Sequence, residues 1–368
     1  MLTSELDYDL PPELIAQHPV VPRDHSRLLV YHRDTRKTEH RRLTDLVSFL
    51  NPGDALVYND SRVLRARVHA LKPTGGKVEL LFLKRRGVRL WEALVKPSAR
   101  LKEGMEIGLG PVAASGAPGA ERPLSPAGSF LLEEHLGEGR WLVKNLTNLT
   151  TEDLLERNGE MPLPPYIHQR LEEPERYQTV YAEHPGSAAA PTAGLHFTPE
   201  LIGHIQAMGV SLLPLTLHIG LDTFRPIGED ELELHDIHSE QYSMTPQTYE
   251  GVLAARKSGG RIVAVGTTAV RVLETVFQSG SIGPAGGKRP LPSGGKMPPL
   301  EGETRLFITP GYSFRAVDAL LTNFHLPRST LLALVMAFAG IPETRRLYSE
   351  AVRERYRFFS FGDATLLL

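Results

Sequence analysis

Two hydrophobic periods divide this chain. Between residues 63 and 145, apolar and polar positions alternate in short runs separated by glycine. Val63–Lys72, Lys77–Arg85, Val88–Lys96, Met105–Leu109, Ser129–His135 and Arg140–Asn145 carry the two-residue period of strands, with Gly75-Gly76, Gly87, Gly104, Gly137 and Gly139 at the turns. These runs predict a small all-β unit. On either side, strand patterns alternate with helical ones. Ala55–Asn59, Val210–Gly220 and Arg261–Val265 read as strands. Thr198–Met208 reads as a helix: Leu201, Ile202, Ile205 and Met208 share one side, Thr198 and Pro199 suit its start, and Gly209 its end. Thr268–Phe277 continues its strand as a helix, and Ser329–Ala339, apolar nearly all round, reads as a buried helix stopping at Gly340. The pattern predicts an α/β fold. A mixed-sheet α/β main domain (residues 1–61 and 149–368) receives an inserted small β-barrel domain (residues 62–148). Residues 113–128 and 278–302 are rich in Gly, Pro and Ser, lack either period, and read as surface insertions.

Composition narrows the class. At 368 residues, 41% hydrophobic and 23% charged, the chain is an ordinary globular protein large enough for two domains. It has no cysteine, which excludes disulfides, cysteine-based zinc sites and thiol nucleophiles. The acidic start, Met1 to Asp9, has no apolar core of a signal peptide, and the apolar run Leu331–Ala339 is shorter than the ~20 residues that span a bilayer. A cytoplasmic protein without membrane contact, acting as a monomer, is expected. Net charge is −2, yet the segment from Arg62 to Glu103 holds twelve Lys/Arg against Glu79, Glu92 and Glu103, a local +9. Such a surface suits a phosphate backbone; a solvated strand face reads the same way.

Several polar clusters could carry chemistry. Pro191-Thr192-Ala193-Gly194-Leu195-His196-Phe197-Thr198 places a histidine in a small-residue loop beside a helix start. A ligand can approach such a backbone closely, and imidazole can exchange a proton near neutral pH. Along Leu213–Leu221 the alternation puts Thr216 and His218 on one face, with Asp222 at the strand's C-terminal end, where open α/β sheets bind ligands. A half-buried strand with a solvated histidine is the alternative. Gly266-Thr267-Thr268 joins strand to helix; its N–H groups and hydroxyls suit a carboxylate or phosphate, and Arg271 could add a clamp. An ordinary threonine cap gives the same pattern. No Gly-x-Gly-x-x-Gly and no Walker A motif supports a dinucleotide site or P-loop. Asn59-Asp60-Ser61-Arg62 ends a strand in polar residues, and Asn323–Thr330, containing His325 and Arg328, is a second polar loop at a helix start. His235 and His238 invite a metal, but their spacing is not that of His-Glu-x-x-His sites. Surface charge, or His238 and Glu240 orienting a polar substrate, fit equally, and no metal is expected.

Specific blocks run end to end. They include Asp9–Pro19, Ser26-Arg27-Leu28-Leu29, Tyr58–Val63, Pro73–Glu79, Gly159–Ile167, Glu175–Tyr181, Ala190–Thr198, Leu217–Phe224, His238-Ser239-Glu240, Val265–Thr268, Phe307–Tyr312, Asn323–Thr330 and Tyr356–Asp363. Together they resemble the S-adenosylmethionine:tRNA ribosyltransferase-isomerase family of queuosine biosynthesis. The two Gly/Pro-rich stretches and Gly302-Glu303-Thr304-Arg305 depart from its pattern. The resemblance implies a transferase that moves and isomerises the ribosyl part of S-adenosylmethionine onto 7-aminomethyl-7-deazaguanine at the wobble position of tRNA. Epoxyqueuosine forms, and adenine and methionine leave. S-adenosylmethionine is then a cosubstrate, with no regenerated cofactor, and tRNA is the partner. The positive sulfur acidifies the 5′ carbon, so a positioned base can start the rearrangement. The resemblance makes His196, His218, Asp222, His238 and His325 candidate proton carriers. Thr267, Thr268 and Arg271 fall to the methionyl carboxylate, and Asn59, Asp60 and Arg62 to ribose or the modified base. Thr192, Gly194, Glu240, Asn323 and Arg328 complete the expected substrate contacts, and the +9 segment falls to the tRNA backbone. A tRNA-binding module without catalysis and a metal hydrolase on His235 and His238 are the competing readings.

Overall fold

A computed structural model describes residues 1–109, 128–220, 226–279 and 297–368. Asp222 and most of the two Gly/Pro-rich stretches lie outside the described residues.

In chain order the strands are β1 (Arg27–His32), β2 (Lys37–Arg42), β3 (Ala55–Asn59), β4 (Ser61–Val63), β5 (Arg67–Leu71), β6 (Lys77–Arg85), β7 (Leu90–Lys96), β8 (Glu106–Leu109), β9 (Ser129–Gly137) and β10 (Arg140–Asn145). After α1 (Thr151–Asn158) come β11 (His184–Ser187), α2 (Pro199–Ala207), β12 (Ser211–Leu217), β13 (Glu240–Ser243), α3 (Pro246–Lys257), β14 (Ile262–Val265) and α4 (Gly266–Val276). The chain closes with β15 (Glu301–Thr304), β16 (Ala319–Asn323), α5 (Thr330–Ala339), α6 (Ile341–Arg353) and β17 (Ala364–Leu367).

Two compact units result. The first comprises Met1–Arg62, Pro164–His184 and Ala190–Leu368. Its nine-stranded mixed sheet has the order β15-β13-β12-β3-β14-β16-β17-β1-β2. The middle strands β12, β3, β14 and β16 run parallel. Parallel strands are covered on both faces, so their sequences read as continuous apolar runs; β14 and β16 are buried at every position. Val263 and Val265 of β14 join Leu28, Leu56, Leu321 and Leu366 under Phe197, Leu201 and Ile205, on the face that α2 covers. The neighbouring Ile262 and Ala264 point the other way by strand alternation. At one edge β2 carries Lys37, Glu39, Arg41 and Arg42, charges that discourage pairing with another chain. Helix α4 begins at Gly266, two residues before the sequence pattern places it, because Gly266 adopts φ +85° and turns the chain straight from strand into helix.

The second unit comprises Val63–Leu163 and Pro185–Ala189. Its strands close an antiparallel barrel in the order β10-β7-β6-β5-β8-β9. Val78, Leu80 and Phe82 of β6 point inward at alternate positions and meet Trp91, Phe130, Trp141 and Val143. The boundary at residue 148 drawn from sequence stops short. Leu154 and Leu155 of α1 insert into the barrel core and bring the chain through residue 163 with it. Several arginines of the +9 segment are paired, some with Glu79 and Glu92, which that sum already counts, and others with carboxylates outside it. Arg86 and Arg140 both pair with Glu92 (2.6 and 3.2 Å), Arg67 lies 3.8 Å from Glu79, and Arg85 lies 3.5 Å from Glu152 of α1. Lys72, Lys77, Lys96, Arg100 and Lys102 have no ion-pair partner among the described residues.

Leu154→Ala should therefore destabilise the barrel unit by about 2–4 kcal/mol, the usual cost of a large-to-small change in a packed core. Urea melts followed by Trp91 and Trp141 fluorescence measure this, and an unchanged midpoint would place α1 outside the barrel.

Candidate active site

The four parallel strands end on one edge of the sheet, and the polar loops gather there. Asn59, at the end of β3, is fully buried. Its Nδ2 donates to the Leu217 carbonyl (3.0 Å), and its Oδ1 accepts from the N–H groups of Leu217 (3.0 Å) and Ser61 (3.1 Å). The side chain thus prolongs the β3–β12 ladder in place of a peptide group. Its amide oxygen and one amide N–H are thus committed to backbone.

Asp60 follows. Its Oδ1 accepts from Thr216 Oγ1 at 2.7 Å, and its Oδ2 lies 3.7 Å from His184 Nε2. Burial pushes its pKa up, against the hydrogen bond from Thr216. Asp60, Glu183 and His184 form the one described group whose ligand atoms could share a cation, and Glu183 and His184 are exposed. Arg62 points to Glu175 (3.0 Å).

Asn323, at the end of β16, is buried and holds three elements together. Its Nδ2 faces the Phe359 carbonyl (3.1 Å), which fixes the amide orientation and makes the same nitrogen the donor to His196 Nε2 (3.1 Å). Its Oδ1 accepts from Thr192 Oγ1 (3.1 Å). With Nε2 accepting, the His196 proton sits on Nδ1, 2.9 Å from Ser26 Oγ. Both imidazole nitrogens are therefore engaged inside the protein. Burial, reinforced by the charges of Arg357 and Arg23, pushes the His196 pKa down to about 4. The ring of His196 is thereby held between Ser26 and Asn323. Gly194 has a packing reason: a Cβ there would collide with the Tyr181 hydroxyl and with Thr179.

His325 differs. Its backbone is clamped, N–H donating to Tyr348 Oη (3.0 Å) and carbonyl accepting from Tyr8 Oη (2.5 Å). Nε2 meets Thr322 Oγ1 at 2.8 Å, whereas Nδ1 has no partner among the described residues. Burial pushes its pKa down to about 3. Burial, with the charge of His184, also pushes the His218 pKa down.

Two clefts meet at the start of α4. One, of about 390 Å³, is lined by Pro191, Thr192, Thr267, Thr268, Thr322 and His325 among others. The other, of about 400 Å³, shares Thr267, Thr268 and Leu331 with it and adds His238, Glu240 and Arg271. Glu240 is fully buried and accepts from Gly220 N–H (3.0 Å), His238 Nε2 (3.2 Å) and Arg271. Burial opposes its charge, but Arg271 and the His238 hydrogen bond prevail and hold its pKa below the ordinary glutamate value. Arg271 also donates to the carbonyls of Leu306 (3.2 Å) and Thr304 (3.4 Å), so its guanidinium is committed inside the wall and the expected ligand clamp is spent. His235 serves Glu229 (2.9 Å) while His238 serves Glu240, so the two imidazoles act on separate carboxylates. Arg328 is anchored by its backbone to Leu6 and Ile227 and is not among the residues lining either cleft.

Sequence reasoning missed Ser26 and Tyr181, which act across gaps in the chain that no local pattern reveals. It also missed Glu274, a buried carboxylate at the far end of α4. Glu274 accepts from Tyr312 Oη (3.1 Å) and from the N–H groups of Arg315 (2.8 Å), Ala316 (3.0 Å) and Val317 (3.1 Å), and so shapes the loop before β16.

The fold and site define an α/β enzyme with its pocket at the carboxyl ends of parallel strands. The family model described as "Queuosine biosynthesis protein" matches residues 3–367. A protein of Symbiobacterium thermophilum named S-adenosylmethionine:tRNA ribosyltransferase-isomerase is 51% identical, covering 100% of both chains. One of Rubrobacter xylanophilus with the same name is 50% identical, covering 100% of this chain and 98% of its own. The crystal structure of an S-adenosylmethionine tRNA ribosyltransferase from Thermotoga maritima superposes with a TM-score of 0.52 at 36% identity, covering 99% of this chain and 100% of its own. The chain belongs to the queuosine biosynthesis protein family and is a transferase.

The lowered His196 pKa makes a stability prediction. Between pH 6.5 and about 4 the unfolded chain takes up a proton on this side chain that the folded one refuses, so stability falls as pH falls through that window. His196→Gln should remove that part of the slope, roughly 2–3 kcal/mol between pH 7 and pH 4.5. Urea midpoints of both proteins at the two pH values measure it; parallel losses would show that His196 does not titrate this way.

Proposed function

We propose that this enzyme transfers and isomerises the ribosyl moiety of S-adenosylmethionine onto 7-aminomethyl-7-deazaguanine at the tRNA wobble position, releasing adenine and methionine and leaving epoxyqueuosine. The general activity follows from the family and from relatives that carry the ribosyltransferase-isomerase name along their full length. The observation that supports the finer reading is the electrostatic character of the cleft lined by Thr192 and His325. Thr192, Thr267, Thr268, Thr322 and His325 line it with hydroxyls and an imidazole that burial keeps neutral. A polar nucleoside bearing a positive sulfonium can enter without meeting a fixed cation there.

The chemistry needs a proton acceptor for the acidified 5′ carbon. His196 and His325, held neutral with pKa values of about 4 and about 3, are poor bases. Asp60 has the carboxylate chemistry of an acceptor and is oriented by Thr216, but it is not among the residues lining either cleft. S-adenosylmethionine acts as a consumed cosubstrate, and the residues at hand need no metal to bind it. The tRNA backbone falls to the unpaired cations of the barrel.

Incubation with S-adenosylmethionine labelled separately in ribose and methyl groups, together with precursor-containing tRNA, tests the reaction. The ribose label should enter tRNA, with adenine and methionine released in equal amounts; methyl label in the tRNA would overturn the reading. Lys72→Glu with Lys77→Glu should weaken tRNA binding about 10-fold or more, with a shallower salt dependence. Arg86→Glu, whose guanidinium already serves Glu92, should weaken it less at matched stability. Equal effects of the two changes would argue against that surface.

A further inference from the structure

We infer that Tyr8 is a positioning residue for the reaction: its hydroxyl, reaching in from the N-terminal segment, sets the place of His325 in the cleft lined by Thr192 and Thr322. The inference rests on the function proposed above and adds to it a residue that lines neither cleft.

Buried peptide groups need hydrogen bonds. In the loop after β16 other peptide groups supply most of them. The Phe324 carbonyl accepts from Phe359 N–H (3.1 Å), and Arg328 bonds through its N–H to Leu6 (3.0 Å) and through its carbonyl to Ile227 (2.7 Å). His325 is the exception. It is buried, and among the described residues its peptide groups have no backbone partner. Two phenols stand in. Tyr348 Oη of α6 accepts from the His325 N–H, and Tyr8 Oη, 317 residues away in sequence, donates to the His325 carbonyl. Burial pushes the pKa of both phenols up, so Tyr8 keeps the proton it donates.

Tyr8 is itself held. Its ring packs edge-on against Tyr348, with centroids 5.0 Å apart, and lies 6.1 Å from Phe358. Its segment is pinned on several sides: Thr3 N–H donates to the Asp230 carbonyl (2.9 Å), Leu6 accepts from Arg328 N–H (3.0 Å), and Arg345 of α6 donates to the Glu5 carbonyl (2.8 Å). A phenol held this firmly fixes where the His325 peptide sits. The imidazole follows, because Thr322 Oγ1 meets Nε2 at 2.8 Å. Nδ1, without a partner among the described residues, is the atom the ring can offer to a ligand in the cleft. A displacement of about 1 Å at a reacting centre can cost about 100-fold in rate, so a residue that touches no ligand can govern turnover. For packing alone, phenylalanine would serve at position 8. The Tyr8 hydroxyl has the His325 carbonyl as its one hydrogen-bond partner among the described residues.

Tyr8→Phe keeps the ring and deletes the hydrogen bond. With S-adenosylmethionine and precursor-containing tRNA, kcat for adenine release should fall about 10-fold in this variant. In a His325→Gln background the same change should cost less than about 2-fold, because a residue that acts through His325 then has nothing left to position. An unchanged kcat in Tyr8→Phe overturns the inference. So do losses that multiply in the double variant, which would mark the hydroxyl as merely structural. A second readout does not use activity. In histidine-labelled enzyme, the ring resonance of His325, assigned by its absence from His325→Gln, should move in Tyr8→Phe. A resonance at its wild-type position overturns the inference, and this measurement decides alone where His325→Gln turns over too slowly to complete the cycle. Failure of the wild-type enzyme to release adenine overturns the functional reading itself, and the resonance separates that failure from a failure of Tyr8 to place the ring.

Discussion

The side-chain amide of Asn323 ties the active-site loops to the sheet. It sits at the end of β16 and reaches Thr192 and His196 on one connection and Phe359 on another, while His196 passes the chain of hydrogen bonds on to Ser26. These residues come from four separate stretches of sequence, and Ser26, His196, Asn323 and Phe359 are all buried. A buried polar network of this kind stabilises when fully satisfied and is costly when one member is lost, because each remaining partner is then left unpaired away from water. The loop Pro191–Phe197 has almost no regular structure of its own beyond a short 3-10 turn. Its shape, and so one wall of the cleft lined by Thr192 and His325, is inherited from this network.

The same burial sets the chemistry of the site. Taking an imidazole out of water disfavours its charged form. His196 and His325 are fully enclosed, and for both burial is the leading cause of the lowered pKa. Burial acts on Asp60 in the opposite sense, raising the proton affinity of a group that is negative when ionised. One physical effect thus disfavours the charged form of all three groups, lowering the proton affinity of the imidazoles and raising that of the carboxylate. The distinction matters for a cationic cosubstrate: protonated imidazoles would repel it, whereas neutral ones hydrogen-bond to it.

How much of this the sequence could carry depends on the range of the interactions involved. The barrel strands Lys77–Arg85 and Arg140–Asn145 follow from alternation alone, because one face of each meets a core and the other meets solvent. The helix ending at Gly209 and the one starting after Ser329 follow from their caps. β16 and β17 escape because a strand covered on both faces has no period to detect. At the site, polar groups at strand and helix ends such as Thr192, His238, Glu240, Thr267, Thr268, Arg271 and His325 are conspicuous in the sequence, whereas the apolar lining of the clefts is not. Which of their polar atoms are already engaged the sequence does not reveal. His196 looks like a free imidazole until Ser26, 170 residues away, occupies its Nδ1. Arg271 looks like a ligand clamp until Glu240, 31 residues away, takes its guanidinium. The +9 run gives no sign that Glu152 of α1, far along the chain, lies beside Arg85. In each case identity is local and availability is not.

The commitment of Arg271 bears on how the site can discriminate. A guanidinium offered to the ligand would bind phosphate and carboxylate alike, and bind them strongly. Buried against Glu240, it contributes no net charge to the cleft; what remains is a helix terminus and hydroxyl groups. Those give a weaker and more directional field, which falls off within the first turn. A cell is rich in phosphorylated nucleosides that share the adenosine part of the proposed cosubstrate. A cleft whose only strong cation is already neutralised, and whose walls are apolar, excludes them by desolvation: a polyphosphate would have to shed water without gaining a counter-charge. The ion pair in the wall therefore acts by taking the one arginine among the described lining residues out of reach of a ligand in that cleft.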